Sequence, residues 1–217
     1  MTLIQDGQGS TLLQVENFQK AARVCLYPNK INGSWSIAAY TGLLTGVAAG
    51  GAIFSLRNIA AKKLLITEIS LSFLLTTAFG AAQRMEFFLN VLSNFTASDT
   101  GGTTINIVGD NCSLDGNLTA PTSIDCRIST TGVLTPGIKS ADANNMGQLA
   151  LWAGAIGATL PWSRGNLFEA APNEYPLILD QNEGININNG VLMGGSGVGI
   201  AYVSVDFAEV ESTYPLN

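Results

Sequence analysis

The sequence of 217 residues contains no histidine and few charged residues. The absence of histidine excludes Ser-His-Asp triads, Cys-His dyads, histidine general bases and nearly every catalytic zinc arrangement. Charged residues make up 12% of the chain, about half of the ~25% that is usual for soluble proteins. A monomer needs surface charge to remain soluble, so we expect an assembled protein whose neutral surface is partly covered by partners.

The charges that are present are mostly acidic and well separated. Sixteen acidic residues against ten basic residues give a net charge of -6, and only Lys62 and Lys63 are adjacent basic residues. This balance predicts no binding to nucleic acid and no attraction to an anionic membrane. Of the three cysteines, Cys112 and Cys126 could close a loop through a disulfide, whereas Cys25 lies in an apolar run. No CxxC spacing occurs, and we expect neither a metal nor a cofactor.

An uncharged stretch between Lys30 and Arg57 is long enough to form a membrane-spanning helix. Within it, "GLLTGVAAGG" places Gly42, Gly46 and Gly50 four residues apart, a spacing that brings helices together in membranes. However, the stretch also contains serines and threonines, and it has no basic flanking clusters. Strands joined by glycine-rich turns fit the same residues without the cost of glycine inside a helix. We therefore predict strands and no membrane span.

A second segment, "ILDQNEGININNG" (178–190), resembles a calcium loop in composition. An EF-hand loop requires an oxygen ligand at its fifth position and glutamate at its twelfth, but counting from Asp180 these positions are Gly184 and Val191. Ile185 and Ile187 alternate instead with asparagines. The pattern predicts a turn followed by a short strand with an apolar inner face and a neutral polar outer face.

Alternation of apolar and polar residues with a period of two recurs along the chain, as is typical of half-buried strands. In "KLLITEISLSF" it assigns Leu65, Thr67, Ile69, Leu71 and Phe73 to one face. Comparable alternation occurs in "RMEFFLNV" (84–91) and "VSVDFAEV" (203–210). Further predicted strands are 23–27, 34–40, 52–57, 125–130, 148–153 and 177–179.

Many short strands without helical periodicity predict an all-β protein, an antiparallel β-sandwich with jelly-roll-like topology. No repeat of fixed period is present, which disfavours propellers and β-helices. Residues 1–20 are predicted to form an extended N-terminal arm outside the sandwich, and residues 21–217 a single domain.

Seven segments stand out in their order along the chain: "KAARVCLYP", "GLLTGVAAGGAIFSLRN", "TTAFGAAQRMEFFL", "ASDTGGT", "SIDCRISTTGVLTPG", "YPLILDQNEGININN" and "GVGIAYVSVDFAEVE". Together they resemble a family of structural proteins from the virions of tailed bacteriophages. The resemblance covers most of the chain and consists of strand and turn residues rather than a catalytic motif. It implies a jelly-roll-like sandwich, usually oligomeric, on the outside of the head or in an attached fibre or spike, with no active-site residues.

The resemblance and the low charge together predict a non-enzymatic cement or decoration protein on the capsid surface. Its partners would be the major capsid protein and further copies of itself, and the family that the chain resembles favours a homotrimer. Apolar contacts suit this role because salt does not screen them. The predicted contact residues are Leu3, Ile4, Leu12, Leu13 and Phe18 in the arm, together with Trp162. The competing interpretation is that the arm is a disordered tail without contacts.

Two other functions are compatible with a β-sandwich. A receptor- or glycan-binding fibre or spike domain would use exposed aromatic residues. Trp162 lies beside a predicted loop, Trp152 is expected in the core, and Trp35 fits either position. A glycan depolymerase would need paired carboxylates in a cleft. The candidate pairs, Asp110 with Asp115 and Asp180 with Glu183, lie in turns, where acidic side chains usually cap backbone amides or face water.

Overall fold

The computed structural model describes residues 3–5, 12–14, 31–107, 111–113, 121, 124–154, 162–170 and 175–212. The chain is an all-β protein in which two antiparallel sheets pack into a sandwich, as the sequence predicts. The strands are β1 (Leu3–Gln5), β2 (Leu12–Gln14), β3 (Ile31–Tyr40), β4 (Ala52–Asn58), β5 (Lys63–Thr77), β6 (Gln83–Ser93), β7 (Thr103–Thr104), β8 (Asn111–Ser113), β9 (Ile124–Ile128), β10 (Ser140–Ala141), β11 (Gly147–Ala153), β12 (Trp162–Glu169), β13 (Leu177–Leu179), β14 (Gly184–Asn189) and β15 (Val198–Val210).

One sheet has six strands in the order β12-β5-β15-β3-β8, with β13 paired to one end of β5. The other has seven strands in the order β10-β6-β14-β4-β9-β7, with β11 paired to β6. Consecutive long strands, from β3 to β6 and again from β14 to β15, lie in opposite sheets. The chain therefore crosses the core repeatedly, so residues distant in sequence become neighbours.

The core lies between the two sheets and is formed by the apolar residues of alternating positions. Phe73 of β5 and Phe87 of β6 meet across it, with ring centroids 5.2 Å apart. Within one sheet, Trp35 stacks on Phe207 at 5.7 Å. Alternation predicts one face of β6 with Met85, Phe87, Leu89 and Val91, of which the first three are buried and Val91 is partly buried against the core. The alternating positions Val203, Val205 and Phe207 of β15 are all buried.

The face assignment predicted for the start of β5 was wrong. A β-bulge at Thr67 shifts the pairing with β15, so that Glu68 pairs with Asp206 but Ile66 pairs with Phe207. A bulge adds one residue to one strand and reverses which positions face inward beyond it. Ile66 is therefore in the main core, whereas Leu65 joins a small separate cluster with Ala208 and Val210.

The glycine-rich segment connects two strands, as predicted. β3 and β4 flank it, and Gly46 and Gly50 have positive φ angles of 59° and 76°, which glycine adopts readily. In the described part of the chain, no helix is long and apolar enough to cross a membrane.

The calcium-like segment also folds as predicted, with one correction. A turn joins β13 to β14, and Ile185 and Ile187 point into the core. The predicted polar outer face is covered rather than solvated, because Asn186 is buried and accepts a hydrogen bond of 3.0 Å from the Asn90 side chain. Buried amides need such partners to offset their lost hydration.

Cys126 is a free thiol in the main core, and burial raises its pKa well above the usual range. It lies on β9 of the seven-stranded sheet, whereas the backbone of Cys112 belongs to β8 of the six-stranded sheet. The possible disulfide between these two cysteines is therefore not formed in this structure. Cys25 lies outside the described residues, as does the strand predicted at 23–27.

The N-terminal strands form a hairpin of their own. β1 pairs with β2 in an antiparallel register that places Ile4 opposite Leu13. Within the described residues this two-stranded sheet is separate from the two sheets of the sandwich. Two parts of the predicted arm therefore pair with each other, and the arm with its boundary at residue 20 stays a prediction.

Candidate binding face

The outer face of the six-stranded sheet presents an ordered array of polar and aromatic positions. Its register aligns neighbouring strands, so residues of β3, β15, β5 and β12 follow one another across the sheet. One such row consists of Tyr40, Tyr202, Ser72 and Arg164, and the adjacent row of Ala38, Ser204, Ser70 and Asn166. These positions face outward because their neighbours Val203, Leu71 and Phe73 fill the core.

A shallow depression of about 300 Å³ lies over these two rows. Its lining includes Ser70, Ser72 and Ser204, whose short side chains leave space above the middle of the sheet. Tyr40 and Tyr202 form one wall, and Arg164 lies on the other side. The depression therefore combines aromatic surface, hydroxyl groups and one positive charge.

The two tyrosines form an exposed aromatic pair. Their ring centroids are 6.0 Å apart with a tilt of 38°, and 67% of Tyr40 and 40% of Tyr202 is accessible to solvent. An aromatic pair in this arrangement is attractive in itself. It also leaves two large ring surfaces facing the solvent beside the serines, where an apolar face of a ligand can pack.

Arg164 differs from the other basic side chains that the structure describes. Five of them form ion pairs, and Arg57 donates hydrogen bonds to Ser98 and Asn182. Arg164 is exposed and has neither an ion pair nor a side-chain hydrogen bond within the described part of the chain. Its guanidinium group is therefore available to an external anion.

Acidic side chains follow on the next row of the same face. Asp206, Glu68 and Glu169 are aligned across three neighbouring strands. Glu169 accepts a hydrogen bond of 2.6 Å from the Asn166 side chain. Among the described residues, no group of three histidine, cysteine or acidic side chains is arranged to hold a metal ion. The row limits how much negative charge a ligand on this face can carry.

A second and larger opening, of about 500 Å³, lies between β3 of the six-stranded sheet and β7 and β9 of the seven-stranded sheet. It is lined by parts of β3, β7 and β9 together with the residues that follow them, and its lining has no charged side chain. Its described lining therefore offers backbone, hydroxyl and apolar groups.

The predicted contact residues lie in two places. Leu3, Ile4, Leu12 and Leu13 belong to the β1-β2 hairpin, and Phe18 lies outside the described residues. Trp162 was predicted beside a loop, but it begins β12, the outermost strand of its sheet, and its backbone pairs with Leu74. The strand was missed because Gly165 and a bulge near Leu167 interrupt its alternation.

The other two tryptophans differ in exposure. Trp152 was expected in the core, but it lies on the outward side of β11 and is 66% exposed. The apolar run around it misled the prediction: Ala153 is buried and Leu151 partly so, while Trp152 points away from both. Trp35, for which either position was open, is 1% exposed and belongs to the core.

Of the two candidate carboxylate pairs, Asp180 with Glu183 lies in the described residues, and Glu183 caps a backbone amide. A Glu183 side-chain oxygen accepts a hydrogen bond of 2.8 Å from the Asp180 backbone amide, and Asp180 forms an ion pair with Lys63. This is the capping role expected of acidic residues in a turn. Asp110 and Asp115 lie outside the described residues.

Sequence reasoning missed the residues of the binding face. Alternation places Tyr40 and Tyr202 on outward positions of β3 and β15, and this signal was available. What joins them to Arg164 is the order of the strands, which no local pattern contains. Comparison with known proteins does not indicate the role of this face, because neither a protein-family model nor a curated protein matches this chain.

Proposed function

We propose that this chain is a non-enzymatic structural protein of a tailed-bacteriophage virion. In this role it is a capsid cement or decoration protein that bridges major capsid protein subunits on the head exterior, assembled as a homotrimer. The proposal rests on the resemblance of its strand and turn segments to such proteins, and on the character of its surface.

The observation that carries the proposal is the exposure of Trp152 on a surface with few available charges. Tryptophan is enriched at the centres of protein interfaces, where it contributes much of the binding energy. Further exposed apolar side chains of the described residues include Leu43, Ile138 and Leu192. Most described basic residues are already paired within the molecule. Contacts made by such a surface would be largely apolar and insensitive to salt.

The strand order supports the jelly-roll topology within the sandwich. β3, β15, β5 and β12 are successive neighbours in one sheet, and β4, β14, β6 and β11 in the other. The first and last strands of this set are adjacent, as when Greek keys wrap across two sheets. β7 and β9 then extend the seven-stranded sheet beyond β4. In this arrangement the β1-β2 hairpin precedes the sandwich and is a candidate anchor on neighbouring subunits.

The experiment is co-sedimentation of the full-length protein with capsids that lack it, at low and high salt. Saturable binding that persists in high salt, together with a higher disruption temperature of the decorated shells, is the expected result. Trp152→Ala is expected to weaken binding, and Tyr175→Ala serves as a control for the loss of an exposed aromatic side chain elsewhere. Light scattering on the free protein tests for the trimer.

The alternative role is a receptor- or glycan-binding fibre or spike domain. The outcome that favours it is a protein that does not sediment with capsids at either salt concentration but is retained on host cells or their surface polysaccharide. Capsid binding that disappears in high salt would also contradict the proposal, because it would show ionic rather than apolar contacts.

A further inference from the structure

We infer that the outer face of the six-stranded sheet binds an oligosaccharide that carries sparse carboxylate groups, such as a uronic-acid-containing glycan. The site consists of Tyr40, Tyr202, Ser70, Ser72, Ser204 and Arg164. The inference goes beyond the proposed function and does not depend on it, since a decoration protein and a fibre domain could each carry such a site.

The aromatic pair supplies the surface for a sugar ring. One face of a pyranose carries C–H groups and packs on an aromatic ring, while the hydroxyl groups of the sugar point outward from its edge. Tyr40 and Tyr202 present two exposed rings tilted by 38°, each able to contact one side of a saccharide chain. Tyrosine combines this apolar surface with a hydroxyl group at its tip.

The serine hydroxyls supply the matching polar groups. Each hydroxyl can donate one hydrogen bond and accept two, which suits the mixed donors and acceptors of a sugar. Ser70, Ser72 and Ser204 line the floor of the depression. None of them makes a side-chain hydrogen bond within the part of the chain that the structure describes. Ser72 and Ser204 are partly exposed and therefore available to a ligand, whereas Ser70 is only 6% exposed.

Arg164 determines the charge of the ligand. A guanidinium group binds a carboxylate through two parallel hydrogen bonds, and this side chain has no described partner of its own. It stands at the opposite end of the row from Tyr40, three strand spacings away, which is roughly 14 Å. The row is longer than one sugar ring, so the ligand is an oligosaccharide that stacks at one end and places a carboxylate at the other.

The acidic row limits the charge density of that ligand. Asp206 and Glu68 lie on the same strands, two and four residues from Ser204 and Ser72. A densely sulfated glycan or a polyphosphate would bring several negative charges close to these carboxylates and be repelled. A saccharide with isolated carboxylates can satisfy Arg164 while its neutral part lies over the serines.

The test measures calorimetric binding of the full-length protein to three probes: oligogalacturonate, alginate oligosaccharides and hyaluronan oligosaccharides. Saturable binding of at least one is expected, with loss of binding when its carboxylates are methyl-esterified and weak or no binding of heparin. Arg164→Gln should lower the affinity at least about tenfold, because it removes a charge-assisted hydrogen-bond pair. Tyr40→Ala should also weaken binding, while Arg84→Gln and Tyr175→Ala, which lie outside the site, should not.

Several results would overturn the inference. They are the failure of all three probes to bind, binding that Arg164→Gln leaves unchanged, and heparin binding as tight as that of the carboxylate probes. Conversion of an oligomer to a monomer by Tyr40→Ala and Arg164→Gln would instead make this face a contact between copies of the chain. Circular dichroism of each variant separates lost binding from lost folding. Capsid co-sedimentation of the same variants keeps the result distinct from the test of the cement role, which Tyr40→Ala should not affect.

Discussion

Lys139 and Asp99 form an ion pair that is almost completely removed from solvent. The ammonium nitrogen of Lys139 lies 2.6 Å from Oδ1 of Asp99, whose carboxylate is fully buried, and the Gly137 backbone amide donates to the same oxygen at 2.8 Å. The ring of Phe95 lies 4.8 Å from the ammonium. Both charges are therefore compensated, and the pair fixes two connecting segments to each other.

The first prediction concerns this pair. Asp99→Asn leaves a buried ammonium group without its counter-charge, and loss of one partner of a buried ion pair typically costs about 3–5 kcal/mol. We expect the free energy of unfolding, measured by urea denaturation, to fall by that amount. The double variant Asp99→Asn with Lys139→Met should recover part of the loss, because no unpaired charge remains.

An exposed ion pair provides the control. Lys63 and Asp180 are 3.1 Å apart, but 57% of the Asp180 side chain is accessible to solvent. Asp180→Asn should change the free energy of unfolding by only about 0–1 kcal/mol, as is usual for exposed ion pairs. Equal losses in the free energy of unfolding from Asp99→Asn and Asp180→Asn would mean that burial of the Lys139–Asp99 pair does not increase its contribution to stability.

The second prediction concerns the thiol of Cys126. Burial raises its pKa well above the usual range, so the folded protein retains the thiol proton at pH values where the unfolded chain loses it. This contribution to stability is complete below the unfolded pKa of about 8.5 and decreases as the pH rises above it. In a Cys25→Ser, Cys112→Ser background, the free energy of unfolding should therefore fall more steeply with alkaline pH than in the same background with Cys126→Val. If the free energy of unfolding depended on pH in the same way with and without Cys126→Val, this prediction would be contradicted.

The same background allows a direct measurement of accessibility. A buried thiol reacts with Ellman's reagent only after the surrounding structure opens. We expect slow labelling of Cys126 in the native protein and rapid labelling in urea. Rapid native labelling would mean that β9 is not held in the core.

The sequence predicted the fold class because burial on one side of a sheet imposes a period of two. β6 illustrates this: Met85, Phe87 and Leu89 were assigned to the core from alternation, and all are buried. The alternation fails where the backbone adds a residue, as at Thr67, because a bulge depends on the pairing of two strands rather than on one strand's own pattern.

The candidate site was less predictable for a related reason. Tyr40, Tyr202 and Arg164 are far apart in the sequence, and only the order β3-β15-β5-β12 brings them onto one face. Local patterns determine which way a residue faces, but not which strand lies beside it. The error at Trp152 has a similar origin, since an apolar neighbourhood along an edge strand does not require burial of every member.

The third prediction concerns the closeness of the sheets at Gly147. A Cβ atom at this position on β11 would lie 1.9 Å from the backbone oxygen of Leu167 on β12, in the other sheet. Backbone cannot yield as a flexible side chain can, so Gly147→Ala should cost about 1–3 kcal/mol in urea denaturation. Gly132→Ala is the matched control, since nothing lies within 4 Å of its Cβ position. Equal effects of the two substitutions would show that the sheets are further apart at this point.

The fourth prediction compares an exposed and a buried aromatic residue. Phe73 is fully buried and contacts Phe87 across the core, so Phe73→Ala should lower the free energy of unfolding by about 3–5 kcal/mol. Trp152 projects from an edge strand, and Trp152→Ala should change it by no more than about 0.5 kcal/mol. Circular dichroism is the appropriate probe, because removing a tryptophan alters the fluorescence signal. If Trp152→Ala lowered the free energy of unfolding almost as much as Phe73→Ala does, Trp152 would have to be buried in the core. If the loss grew with protein concentration, Trp152 would lie in a contact between subunits.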